Sequence, residues 1–532
     1  MSDSELEPPA QASGSSVLTD KSPSADEPLA STSAHLSRRR FLQVAGGVAG
    51  AAAAGAGAFE VVQQLGGGVR TSLPAMPVSA SGPVRAFHSR PDLRPPAIAV
   101  THPLNLDPGY LFMGPQALFG NQPGALAVDR QGEPVWFRPV SSGTRPWATT
   151  VGPSTYRGEP VLAWWEGELV SADLGRGQAV IVDRSYREVA RVQAANGRQM
   201  DFHEFQLTPQ GTALFTCYPE AVRTDLTSIG HSRQGSVLDS IFQEVDVRTG
   251  RLLLEWRGLD HIPVSESYYL GGEPYDYLHL NSVGLTPDGN LLVSGRHTSA
   301  LYKVDRRTGQ VIWRLGGKRS DFTIDPDARF HWQHDARQPT NATITVFDNA
   351  VRIVNALKFA RGLVLKVDEA GRRVSLAQAF NHEPPIVVTS MGSVQILPSG
   401  HVVVGWGITP FVSEFTSSGR PLSEAHLLSG IKSYRSLLFP WQGRPQRPPD
   451  LAVRRSPSTG KTTVYASWNG DTETAYWQVH AGQRPNEMRP IGIARRRAFE
   501  TAIAVGDIGG YLAVTALDKT GKALRRSAAI RS

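Results

Sequence analysis

Residues 286–313, TPDGNLLVSGRHTSALYKVDRRTGQVIW, decide the fold. Thr286-Pro287-Asp288-Gly289 leads into the apolar run Asn290-Leu291-Leu292-Val293. A second strand, Ala300 to Val304, runs into Asp305-Arg306-Arg307-Thr308-Gly309 before Val311-Ile312-Trp313. Asp opens such a turn by bonding its own backbone, and Gly supplies the positive φ at its end. Both turns recur along the chain. The Asp type appears as Asp129 to Gly132 before Pro134-Val135-Trp136, as Asp183 to Tyr186 before Val189 to Val192, and as Asp246 to Gly250 before Leu252 to Trp256. It returns as Asp368 to Gly371 before Val374 and, with Thr in place of Asp, as Thr416 to Gly419 before Leu422. The complementary turn appears at Thr208 to Gly211 and Pro398 to Gly400. Two hairpin turns per unit make four strands, and the units repeat at roughly 50–60 residues, which is a propeller-blade period. Six copies predict an all-β, six-bladed β-propeller over residues 81–443. A β-sandwich with coincidental turns does not keep the two turn types in a fixed order.

Outward from this repeat the pattern changes. Pro440 to Leu451 is a Pro-rich joint. Beyond it, Thr463 to Trp468, Ala475 to His480 and Tyr511 to Leu517 alternate in the manner of strands. A Trp on an early strand and a Tyr opening a late one predict an immunoglobulin or fibronectin III-like β-sandwich over residues 444–532. Such a module binds or packs, and the chemistry is expected elsewhere.

At the other end, residues 1–36 are rich in Ser, Pro, Ala and acidic groups and read as a disordered leader. Residues 37–80 open with Ser37-Arg38-Arg39-Arg40-Phe41-Leu42 and continue as a weakly apolar Ala/Gly run. This is the pattern of a twin-arginine export signal and linker. Export through the twin-arginine machinery predicts an extracytoplasmic protein, secreted or membrane-anchored. Cys217 is the only cysteine, so an intramolecular disulfide and a Cys-based metal site are excluded. The 52 Gly and 38 Pro suit many short strands and turns. The formal charge of +7 is mild, and no Lys/Arg-dense block interleaved with aromatics lies outside the N-terminus, so nucleic acid is not an expected partner. A basic balance does favour anionic substrates.

The chemistry concentrates in the histidines of the central units. His203 lies in Asp201-Phe202-His203, His279 in His279-Leu280-Asn281, and Arg296-His297 follows one strand later. His331 and His334 share Phe330-His331-Trp332-Gln333-His334-Asp335. The i, i+2 spacing of His279 and Asn281 predicts that they share a strand face. Both His203 and His279 sit just before a Thr-Pro-x-Gly turn, so they hold equivalent places in different units and are expected to converge on the propeller axis. His331-x-x-His334 lacks a third ligand of recognisable spacing, so no metal is expected. Trp164, Trp165 and Trp332 are candidates either for an aryl pocket or for the core.

Taken together, Ser89 to Pro96, Pro108 to Phe112, Tyr156 to Trp165, His279-Leu280-Asn281, Ser294 to Ser299, Phe347-Asp348-Asn349 and Ser433-Tyr434-Arg435 resemble the bacterial arylsulfotransferase family over about Ser89 to Gly443. The resemblance implies a propeller enzyme without cofactor. It moves a sulfuryl group from a phenolic sulfate ester to a phenol by a ping-pong route through a sulfohistidine, with no nucleotide sulfate donor. On the matching residues, the nucleophile falls on His334, with His331 as the alternative. The sulfuryl-binding and acid–base set falls on His203, His279, Asn281 and Arg296, and Asn281 and His331 count as substrate-binding. Two other readings stand beside it. One is a non-catalytic exported propeller that binds glycan or protein. The other is a quinone-cofactor dehydrogenase, which lacks vicinal cysteines and a regular Trp docking motif here.

Overall fold

In the computed structural model the described residues are 75–77, 82–101, 107–117, 120–269, 271–351, 358–428 and 431–532. The leader at 1–36 lies outside them, as does the export segment at 37–80 apart from the strand Ala75–Pro77. The protein is all-β, with strands, short 3₁₀ turns and no α-helix among the described residues.

The turns form by the local chemistry that the sequence suggests. The Asp129 carboxylate accepts the backbone N–H groups of Gln131 and Glu133, both at 2.9 Å. Asp305 accepts those of Arg307 at 3.0 Å and Thr308 at 2.7 Å. Gly132, Gly250 and Gly309 close their turns with φ of 81°, 70° and 76°. Two turns depart from the expectation that Gly takes the left-handed position. Tyr186 takes it with φ 64° in the Asp183 turn, and Arg372 with φ 50° follows Gly371 in the Asp368 turn.

Five sheets precede the Pro-rich joint. One pairs the late strand Ser433–Phe439 with Tyr110–Pro115, followed by Gly124–Val128 and Pro134–Pro139. An eight-stranded sheet runs from Pro146–Tyr156 to Leu252–Arg257. Its two halves are joined through the pair Met200↔Gly177, which links Met200–Leu207 to Gly175–Asp183. The next holds Leu280–Leu285 to Val311–Gly316, the next His334–Thr340 to Arg373–Asn381, and the last Ser393–Ile396 to Pro421–Leu427 with Ile98–Thr101 added at its edge. Apolar cores lie between neighbouring sheets. Phe112 and Trp136 pack with Trp164, Trp256 with Leu280 and Tyr302, Trp313 with Ile344, Phe347 with Trp406, and Val403 and Val412 with Leu111 and Met113. Trp164 and Trp165 are fully buried in these cores.

Two further sheets follow the joint. Thr462–Ser467 and Glu500–Gly506 lie in one, Tyr476–Gly482 and Tyr511–Leu517 in the other, and Val464, Trp468, Trp477, Ile503 and Val514 share one core. The Ala75–Pro77 strand pairs along Glu500–Gly506.

Candidate active site

Three sheets each contribute one strand to one place, and in each that strand begins irregularly. The ladder of Met200–Leu207 shifts register between Met200 and Phe205, that of Leu280–Leu285 between Leu280 and Ser282, and that of His334–Thr340 between His334 and Arg337. His279, Trp332 and Asp335 hold left-handed φ of 49°, 55° and 50°. Such bulges re-aim side chains and gather at functional sites. They also correct the i, i+2 expectation. His279 precedes its regular strand, so it does not share a pleated face with Asn281. His279 turns to Asp276, while the Asn281 amide donates to the Gln333 carbonyl at 2.7 Å.

The histidines then meet in a chain of rings. His203 and His279 stand 5.0 Å apart between centroids, and His279 and His297 4.8 Å apart. Tyr434 stands edge-on to His203 at 5.6 Å and to His334 at 6.3 Å. Phe202 stacks on His203 at 4.0 Å. Beside them Arg296 lies 4.2 Å over the Trp332 ring, and Tyr269 stacks on His297 at 4.5 Å. Trp332 therefore borders this cluster, unlike Trp164 and Trp165.

Two of the histidines are oriented by carboxylates. His203 Nδ1 pairs with Asp201 and His279 Nδ1 with Asp276. A carboxylate on Nδ1 fixes the Nδ1–H tautomer and leaves the Nε2 lone pair outward. Both Nε2 atoms have no hydrogen-bond partner among the described residues. Asp276 also accepts from His297 Nδ1 through its backbone carbonyl. Its carboxylate is held below the usual range. Burial opposes this, but His279, His297 and His203 outweigh burial.

The other two histidines are neutral by construction. Burial pushes His297 down to about 3, and its Nε2 accepts from Arg296 at 2.8 Å. Burial, helped by Arg296, holds His334 well below the ordinary imidazole value. Its Nδ1 donates to the Asn349 side-chain oxygen at 2.7 Å, and its Nε2 accepts the Met391 N–H at 3.2 Å. Asn349 is itself fixed, donating to the carbonyls of Val388 and Met391 at 3.0 Å each. Arg296, lowered by burial, donates to the Thr389 carbonyl at 3.1 Å, while its Nε has no hydrogen-bond partner among the described residues. His331 is half-buried, and its backbone N–H donates to Asp348 at 2.9 Å.

Neighbouring residues on the same strands face the other way. Glu204, Asp335 and Arg435 follow His203, His334 and Tyr434. Arg435 donates to both oxygens of Glu204 at 2.9 and 3.1 Å and stands 3.0 Å from Asp335. Arg337 completes the set, donating to Glu204 at 2.7 Å. These four side chains, Arg337 half-buried and the others buried, line a cavity of about 370 Å³ that contains none of the site histidines. They tie the strands Met200–Leu207, His334–Thr340 and Ser433–Phe439 together.

His203, His279, Arg296 and His334, all predicted from sequence, thus come together. Asp201, Asp276, His297, Asn349 and Tyr434 complete the cluster without having been assigned a role. The available signal was an Asp two or three residues before each oriented histidine.

A family model described as Arylsulfotransferase (ASST) matches residues 152–426. That span falls inside the 89–443 stretch over which the sequence resemblance runs, and it contains every cluster residue except Tyr434. No curated protein matches the sequence. Among solved structures the chain is similar to a protein of unknown function from Bacteroides caccae, at 16% identity over 63% of this chain and 99% of that one, with a TM-score of 0.38. It is similar to a periplasmic gluconolactonase of Pseudomonas aeruginosa, at 12% identity over 80% and 96%, with a TM-score of 0.34. It is also similar to a catalytically inactive virginiamycin B lyase of Staphylococcus aureus, at 9% identity over 70% and 97%, with a TM-score of 0.32.

Proposed function

The chain belongs to the arylsulfotransferase family, and from that premise we propose that it moves a sulfuryl group from a phenolic sulfate ester to a phenol by a ping-pong route through a sulfohistidine. One observation carries the reading: two carboxylate-oriented histidines, one buried neutral histidine and an arginine with an unpartnered Nε meet around Tyr434.

Sulfuryl transfer resembles phosphoryl transfer, with an in-line, loose transition state and charge spread over three equatorial oxygens. Catalysis is then mostly positioning and electrostatic clamping. His334 is the nucleophile. A neutral imidazole keeps its lone pair, and only the Met391 N–H at 3.2 Å competes for Nε2. Attack forms the Nε2–S bond and breaks the S–O bond to the aryl group. Nδ1–H stays on Asn349, whose oxygen steadies the positive charge that the ring gains. The Met391 N–H, displaced from the lone pair, lies beside the new bond and is suited to donate to a sulfuryl oxygen. Arg296 supplies the fixed cationic donor for the same oxygens. His279 or His203, protonated at Nε2 and steadied by its Asp, gives its proton to the departing phenoxide and later takes one from the incoming phenol. Trp332 and Tyr269 offer aromatic faces to the aryl ring.

The same reading covers the architecture. The eight-stranded sheet divides at Met200↔Gly177 into two four-stranded units, which with the other sheets gives six blades, and Ser433–Phe439 beside Tyr110–Pro115 closes the last blade onto the first. Residues 444–532 are then a fibronectin III-like sandwich. Export through the twin-arginine pathway rests on Arg38, Arg39 and Arg40 before the Ala/Gly run. Changing all three to Lys is expected to leave the precursor in the cytoplasm, and unchanged export would refute the assignment.

The test of the reaction is intact mass after incubation with a chromogenic aryl sulfate. We expect a sulfuryl adduct on the peptide carrying His334, turnover on adding a phenol, and loss of both in His334→Ala with the fold intact. An adduct on His331 would move the nucleophile. No adduct and no transfer to any phenol would leave the glycan- or protein-binding reading instead.

A further inference from the structure

We propose that Asp107, His401 and Glu414 form a zinc site, separate from the histidine cluster. Three parts of the chain meet there. Asp107 lies just before Tyr110–Pro115, His401 follows the Pro398–Gly400 turn ahead of Val402–Gly405, and Glu414 belongs to Phe411–Phe415. His401 Nδ1 stands 2.8 Å from Asp107 Oδ2 and 3.5 Å from Glu414 Oε1, and the three ligand atoms lie within 4.8 Å of one another. With metal–ligand bonds of about 2.0–2.2 Å, tetrahedral zinc wants its ligand atoms roughly 3.4 Å apart. Small side-chain adjustments reach that spacing. One imidazole nitrogen with two carboxylates suits zinc better than calcium, which prefers an all-oxygen set.

An independent observation points to a ligand. Glu414 is only 3% exposed, and its Oε1 has no hydrogen-bond partner among the described residues, although Oε2 is paired with Arg130. Oε1 is the oxygen turned toward His401 and Asp107. A buried carboxylate oxygen calls for a partner, and a cation between the three groups supplies it. Ser399 Oγ donates to Asp107 Oδ2 at 2.9 Å and so orients a second ligand. With Arg130 included, the set still carries net negative charge. His401 is partly exposed, which gives the ion a way in from solvent. A bound ion ties the sheet containing Phe411–Phe415 to the chain entering Tyr110–Pro115.

The full chain, stripped with chelator and dialysed, is titrated with zinc chloride and read by equilibrium dialysis and thermal unfolding. We expect saturation at about one zinc per chain and a melting temperature that rises with zinc concentration. Glu414→Gln and His401→Asn should each abolish saturable binding, while Asp276→Asn, in the other Asp/His cluster, should retain it. His401→Asn sits at the exposed edge, so it answers the question even if Glu414→Gln fails to fold. No zinc uptake, uptake unchanged in His401→Asn, or saturation by calcium in preference to zinc would each overturn the assignment.

Discussion

An aspartate behind a histidine sets which ring nitrogen carries the proton and how the ring is aimed. Asp276 does this for His279 through its carboxylate and for His297 through its carbonyl, so one residue orders two rings. Replacing it with Asn keeps the shape but removes the charge that steadies a protonated His279. Asp276→Asn should therefore lower kcat by about 10–100-fold with little change in KM, the usual effect of losing a histidine's orienting partner. Initial rates across a phenol series check this, and a defect confined to KM would refute it. His203, His279, Arg296 and His334 could be picked out of the sequence because their types are rare and chemically specific. Asn281 was legible as a residue, but its contact with the Gln333 carbonyl, 52 positions away, was not. Nor does sequence tell that the His334 lone pair faces the Met391 N–H, since that contact spans 57 positions.

At the scale of elements, the Asp–Gly turns were readable because their hydrogen bonds close within a few residues. The bulges in Met200–Leu207, Leu280–Leu285 and His334–Thr340 were not, because they depend on neighbours distant in sequence. They matter more to the site, since they go with the left-handed backbone at His279, Trp332 and Asp335. The loop that brings Met391 to His334 is of this kind. Met391 and Gly392 hold left-handed φ of 64° and 121°, and a Cβ on Gly392 would overlap the Phe347 ring. Gly392→Ala should cost about 1–3 kcal/mol in backbone strain and overpacking, and by moving Met391 it should also reduce transfer. Gly400→Ala makes the comparison. Its φ of 88° is equally left-handed, but its nearest neighbour is Ser417 at 4.0 Å. It should lower stability while leaving kcat/KM near wild type. Thermal unfolding together with initial rates separates the two, and equal activity losses would show that the Met391 loop has no special part.

Across the whole molecule, the C-terminal sheets are fastened to strands that belong to the site-bearing part. The Asn469 side chain imitates a strand edge: its oxygen accepts the Phe137 N–H and its amide donates to the Phe137 carbonyl, each at 2.9 Å. Gly470 extends the pairing to the Val135 carbonyl at 2.8 Å, and Tyr186 donates to the Gly470 carbonyl at 2.6 Å. At a second point Glu500, fully buried, accepts the His88 N–H at 3.1 Å and binds Ser89, the first residue of the family-like stretch. None of these contacts touches the histidine cluster. Asn469→Ala leaves a buried N–H and C=O on Phe137 without partners, which costs about 1–3 kcal/mol. Unfolding in urea should therefore shift to lower denaturant, and protease should cut faster in the Pro-rich joint between Pro440 and Leu451. The kcat/KM for sulfuryl transfer should stay at the wild-type value. A fall in kcat/KM at full stability would mean instead that the C-terminal sheets help shape the site, and that the boundary near residue 443 does not separate chemistry from packing.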